Sequence, residues 1–169
     1  MKVRNGFVSN SSSSSFCIYG VCLDEQVFEG DEAIEAFQKL CAHDKEAYVA
    51  RIQGWLDKAK QKLEEFPDRE YLKKQARFYE ALLNIENATE EDKEAISYYA
   101  EEQEYFWDVF GLEYHCMYLY ERCGYVGRSW SSVKDDETGA QFRKSVEDAL
   151  AVIGLDGKAC TVEEAWRDG

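Results

Sequence analysis

Apolar residues recur at steps of three and four through most of this chain. In HDKEAYVARIQGWLDKAKQKLEEF, Tyr48, Ile52, Trp55, Leu56, Ala59, Leu63 and Phe66 form one stripe, which predicts a long amphipathic helix. Pro67-Asp68 interrupts it. REYLKKQARFYEALLNI then repeats the pattern with Leu72, Ala76, Tyr79 and Leu83. Two such helices across so short a break predict an antiparallel hairpin over residues 44–85. A shorter helix is expected in GDEAIEAFQKLC, with Asp31 as N-cap and Ile34, Phe37 and Leu40 on one face. TEEDKEAISYYAEEQEYFWDVF reads as a single helix capped by Thr89, acidic in its first turn and ended by Gly111. QFRKSVEDALAVIG, with Phe142, Val146, Leu150 and Ile153, reads as the last.

Elsewhere the period shortens to two. SFCIYGVCL, residues 15–23, is rich in aromatic and β-branched residues and apolar on both faces, which predicts a central strand. LEYHCMYLY alternates Tyr114, Cys116, Tyr118 and Tyr120 with His115, Met117 and Leu119, a second strand, and YVGRSW supplies a third. The tail TVEEAW carries a weak capping box at Thr161 and Glu164. The expectation is an α+β domain, residues 1–169. A small, mostly antiparallel sheet of about three strands packs with helices, and the hairpin is inserted between the first two strands.

Composition sharpens this picture mainly through charge. Hydrophobic residues make up 45% of the chain, enough for a core, whereas 34 acids against 20 bases leave a net charge of −14. So acidic a chain is repelled by phosphate backbones and anionic membranes, which argues against direct nucleic-acid or membrane binding. Lys2 and Arg4 precede an apolar stretch broken at Asn10, unlike a secretory signal. No stretch approaches the ~20 apolar residues of a transmembrane helix. A soluble cytoplasmic protein with six reduced cysteines is expected.

The serines at 11–15 lie between apolar Phe7-Val8 and Phe16. That setting predicts an ordered arm folded onto the core rather than a loose leader. Serine hydroxyls and successive N–H groups can cradle an anion, so Arg4, Ser11, Ser12, Ser13 and Arg128 form a candidate anion site, although no P-loop order is present. RNGFVSNSSSSSF, GYVGRSWSSVKDDETGAQF and the closing EEAWRDG resemble the terminal segments of a loose set of small proteins from tailed bacteriophages and some bacterial genomes. The resemblance leaves out the acidic middle and brings no activity or catalytic residue with it. It implies a phage-encoded accessory protein made in a bacterial host cell.

No catalytic signature emerges. Cys17-x4-Cys22, Cys41-x-His43 and His115-Cys116-x6-Cys123 lack zinc-knuckle spacing, so neither a metal nor another cofactor is expected. His43 and His115 are the two histidines, and no local motif pairs either with a nucleophile. Asp135-Asp136-Glu137 can hold Mg²⁺, but reads more simply as acids complementing a helix N-terminus.

Charge is concentrated instead. Residues 86–108 carry nine acids against one base, −8 of the chain's −14, interleaved with aromatics. Glu90, Glu91, Asp92, Glu94, Tyr98, Glu101, Glu102, Glu104 and Trp107 are the candidate partner-binding residues: carboxylates for a basic surface, aromatics for anchors. The bland alternative is a solvated helix with its aromatics in the core. The leading expectation is a non-enzymatic protein that inhibits a host defence factor, of the anti-CRISPR or anti-restriction type, by occupying its basic nucleic-acid groove. A small phosphate- or nucleotide-binding enzyme using the serine arm is the alternative, and a virion or assembly component a third.

Overall fold

Five helices separate the first strand from the second. In a computed structural model describing residues 15–23, 28–116 and 124–165, β1 (Ser15–Leu23) leads to α1 (Gly30–His43), α2 (Lys45–Glu65), α3 (Glu70–Leu83), α4 (Glu90–Ala100) and α5 (Gln103–Phe110). β2 (Glu113–Cys116), β3 (Gly124–Ser129), α6 (Gly139–Ala151) and β4 (Cys160–Ala165) follow. The strands form one antiparallel sheet in the order β2-β3-β1-β4. The fold is α+β.

β1 is an interior strand, as its two-sided apolar pattern predicts. It pairs with β3 from Ile18↔Ser129 to Leu23↔Gly124 and with β4 from Ser15↔Ala165 to Gly20↔Cys160. Tyr19, Val21 and Leu23 face the helices, and Ile18 is buried on the other face. The fourth strand departs from the sequence reading, in which Thr161 and Glu164 suggested a helix cap. CTVEEA has no helical stripe to bury, and it completes the ladder along β1. Of the second strand, 113–116 is described; the expected continuation through Tyr118 and Tyr120 lies outside the described residues.

The helices close one core over the sheet. Phe37 of α1, Ile52 of α2, Phe78 and Leu82 of α3, Ile96 of α4, Phe106 and Trp107 of α5 and Phe142 and Val146 of α6 are all buried in it. α2 and α3 touch along their length: Tyr48 Oη donates to the Leu82 carbonyl, Trp55 packs on Tyr79, and Leu56 and Ala59 meet Ala76. The α2 stripe is buried only as far as Ala59, and Phe66 at its end is exposed. Tyr19 Oη donates to Glu147, tying β1 to α6.

Two helix starts differ from expectation. α1 begins at Gly30 with Glu29 as N-cap, so Asp31 sits in the first turn, where it complements the helix dipole instead of capping. The expected 89–110 helix is two helices, broken at Glu101-Glu102, where Glu102 adopts extended φ/ψ. The break leaves Glu101 at the C-terminus of α4, against its dipole, and puts Glu104 in the first turn of α5, where the dipole favours it. Gln103 Nε2 bridges the break by donating to the Ala100 carbonyl at 3.0 Å. Gly111, at φ +75°, terminates α5 as its sequence position predicts. No described helix is long and apolar enough to cross a membrane.

Candidate functional site

α4 starts at a complete capping box. Thr89 Oγ1 accepts from the Asp92 N–H at 3.2 Å, and the Asp92 carboxylate accepts from the Thr89 N–H at 2.9 Å. The same carboxylate accepts from Asn84 Nδ2 at 2.8 Å and pairs with Arg77 of α3 at 2.7 Å. Asp92 is 4% exposed. Burial pushes its carboxyl upward, but the bonds from Thr89, Asn84 and Arg77 outweigh that and hold it far below the ordinary aspartate range. Asp92 is therefore no partner-binding residue. It docks α4 onto α3.

Replacing Asp92 by alanine should cost about 2–4 kcal/mol in urea unfolding, because it strips a buried cap and leaves Asn84 and Arg77 without their acceptor. The pH dependence has a definite sign. A depressed folded-state pKa stabilises above the unfolded value, about 3.9, and that stabilisation drains as pH falls below it. Wild type should thus lose its advantage over Asp92→Asn progressively under acid, and a constant difference across that range would contradict the assignment.

The outward face of α4 is different. Glu90, Glu91, Glu94 and Glu101 are exposed, as are Glu102 at the break and Glu104 of α5. Glu90 pairs with Lys93 at 2.7 Å. The side chains of Glu91, Glu94, Glu101, Glu102 and Glu104 form no ion pair or hydrogen bond among the described residues. Between α1 and α4 runs an open groove of ≈ 700 Å³, in which Asp31 joins Glu90, Glu91, Glu94 and Glu101, with Lys93 as its one base. Tyr98, 53% exposed, stands at its edge.

On the other flank, between α3 and α4, a groove of ≈ 540 Å³ brings Lys73, Lys74 and Arg77 against Glu91, Glu94 and Tyr98. The Lys74 ammonium lies over the Tyr98 ring, 4.7 Å from its centre. The ridge of α4 is thus acid-lined towards α1 and partly neutralised towards α3. The break separates Glu102 and Glu104 from that ridge and sets them beside Tyr105 and Asp108 of α5.

Two further expectations are corrected. Trp107 is wholly buried, edge-on to Phe106 at 5.0 Å and to Phe28 at 5.6 Å, and cannot anchor a partner. α5 leaves Glu104 and Asp108 exposed and turns Phe106, Trp107, Val109 and Phe110 into the core. Arg128 is engaged and not available to an anion: its Nη1 and Nη2 bond the two Glu137 carboxylate oxygens at 2.8 and 3.1 Å. Its guanidinium also donates to Ser145 Oγ and the Ser132 carbonyl and lies 4.6 Å over the Phe142 ring. Glu137, drawn below its usual range by Arg128 first, holds the turn entering α6; the cap there is Thr138 with Gln141. Arg4, Ser11, Ser12 and Ser13 lie outside the described residues.

Among the described residues no three His, Cys, Asp or Glu side chains gather as metal donors. Sequence reading missed Asp31, from a different helix, as part of the acidic groove, and Arg77 as the partner that buries Asp92. Neither contact has a local signal. Comparison with family models, curated proteins and solved structures found no match to this chain.

Proposed function

We propose that this chain is a non-enzymatic binding protein whose acidic α4 ridge occupies the basic nucleic-acid groove of another protein and blocks it. The observation that carries the reading is the set of exposed carboxylates left without ion pairs among the described residues: Glu91, Glu94 and Glu101 along α4, which Asp92 docks onto α3, and Glu102 and Glu104 just past its end. From Glu90 to the C-cap Glu101, with Glu91 and Glu94 between them, α4 presents four carboxylates over about 16 Å of helix axis, a mean spacing of about 5.5 Å. One DNA strand presents one phosphate per about 3.4 Å. Tyr98 supplies an exposed aromatic within that charge, and the net −14 steers approach to a basic surface. In the phage setting that the terminal segments imply, the partner is a nucleic-acid-handling defence factor in the host cytoplasm.

The test is a pull-down from bacterial lysate with tagged wild type and with the variant carrying Glu91→Lys, Glu94→Lys, Glu101→Lys and Glu102→Lys. Bound proteins are eluted by salt and identified by mass, and thermal melts establish that both baits are folded. Wild type should release a basic nucleic-acid-binding protein at high salt, because exposed charge pairs are screened. The reversed variant, equally folded, should release none. Equal recovery by both baits would overturn the reading.

A further inference from the structure

The aromatics at the junction of α2, α3 and α5 do not close completely on one another. Trp55, Phe78, Tyr79, Tyr105, Asp108 and Val109 surround a cavity of ≈ 330 Å³. Trp55 and Tyr79 meet at 5.8 Å with their planes 42° apart, and Tyr79 leans on Phe78 at 5.5 Å. Tyr105 joins the same wall through Tyr99, which it meets edge-on at 5.1 Å and which stacks on Phe78 at 4.9 Å. Phe78 and Val109 are buried, whereas Trp55, Tyr79 and Tyr105 are half-buried. Gln75 fixes Tyr79 by donating to its hydroxyl at 3.2 Å.

One charged group, Asp108, lines this cavity, and it is an acid. Burial pushes its carboxyl upward, and Glu104 and Glu113 push it further. Tyr105 is pushed upward by burial and then by Glu102, Glu104 and Asp108; Tyr79 moves the same way, by burial first, against the Gln75 bond and with Tyr105 and Asp108. Asp108 is thus the one charged group lining the cavity, with Glu104 and Glu113 close to it. Arg51 of α2, one turn before Trp55, is committed to the Val109 carbonyl at 2.6 Å.

We propose that this cavity binds a guanidinium group, the side chain of an arginine, between the faces of Trp55, Tyr79 and Tyr105 with its N–H fork on the Asp108 carboxylate. Aromatic faces attract cations, most strongly where water is displaced. A planar guanidinium satisfies both halves of this site at once, stacking on a ring while giving two parallel N–H bonds to a carboxylate. An ammonium offers a compact, strongly hydrated point charge, and a quaternary ammonium has no N–H for Asp108. The source of the arginine rests on the function proposed above: nucleic-acid grooves are built from such side chains, and Glu102 and Glu104, which continue the acidic run past the end of α4, lie near Tyr105 of this cavity. Binding of the guanidinium itself does not depend on that reading.

The isolated full-length chain decides it. Methylguanidinium is titrated into ¹⁵N-labelled protein while the Trp55 indole N–H signal, assigned with Trp55→Phe, is followed. A saturable shift at Trp55, with the Trp107 indole unmoved, is expected. Asp108→Asn, at an exposed position, should weaken it by about tenfold or more, the effect of losing a charge-assisted bond. Tetramethylammonium should bind more weakly than methylguanidinium. No Trp55 shift, or a shift unaltered in Asp108→Asn, overturns the site whatever the pull-down shows. In the pull-down, Asp108→Asn should reduce recovery of the basic partner. Undiminished recovery overturns a partner arginine as the source, while loss of binding in the charge-reversed variant tests the acidic ridge separately.

Discussion

Gly20→Ala is expected to abolish folding, or to cost upward of about 4 kcal/mol if a soluble product is obtained. Gly20 and Gly127 face one another in the β1–β3 ladder. A Cβ at Gly20 would lie 1.9 Å from the Val126 carbonyl oxygen, and one at Gly127 would lie 2.1 Å from the Tyr19 carbonyl oxygen. Both obstacles are backbone, so no rotamer change relieves them; the two strands must separate. β1 is the interior strand that also holds β4, and its separation would open the sheet and expose Tyr19, Val21 and Leu23. The measurement is far-UV circular dichroism with urea unfolding, and Gly54→Ala is its control. Gly54 is exposed inside α2 with open space around its Cα, and alanine there should stabilise by about 0.5–1 kcal/mol. A Gly20→Ala protein with the wild-type midpoint would show that the strands do not approach this closely.

Trp107→Ala should lower stability by about 3–5 kcal/mol, the cost of emptying a large buried aromatic site. Trp107 is wholly buried among Phe28, Phe106 and Phe110, edge-on to the first two and tilted against the third. Its Nε1 finds no hydrogen-bond acceptor among the described residues. Trp107→Phe therefore forfeits no bond and should cost far less, about 1–2 kcal/mol. Urea unfolding of both variants separates a packing role from a partner-binding one. A Trp107→Ala protein with unaltered stability would return this residue to the surface, where its acidic neighbours placed it in the sequence reading.

These two residues also mark where sequence reasoning reaches. Gly20 stands in a run whose aromatic and β-branched residues, apolar on both faces, already predict a strand, and Gly127 in the segment expected as the third; β1 and β3 appear there. The buried stripes of α1, α3 and α6 are likewise legible, because three- and four-residue spacing is a property of the chain itself. Nothing local distinguishes Gly20 and Gly127 as opposed residues. Register joins positions more than a hundred residues apart, and their steric demand exists only once the strands pair. β4 was misread for a related reason: a short polar segment has no period of its own, and the open side of β1 decides its conformation.

The candidate site divides along the same line. Composition along the chain concentrates the acids between residues 86 and 108, and the capping signal of Thr89 is written in adjacent residues; both survive in the structure. Which of those acids remain free is settled by other helices. Arg77 and Asn84 withdraw Asp92 from solvent, α1 contributes Asp31 to the groove, and past the break after Ala100 Glu102 lies near Tyr105 and Glu104 near Asp108. Arg128, unpaired by any rule of spacing, is claimed by Glu137. The sequence by itself determined the α+β class, most helix stripes and the sign and place of the charge, since these follow from neighbours within a few residues. Only the tertiary structure decided the sheet order, the buried aspartate and tryptophan, and the aromatic cavity around Asp108, since each is made by side chains that meet through packing of separate elements.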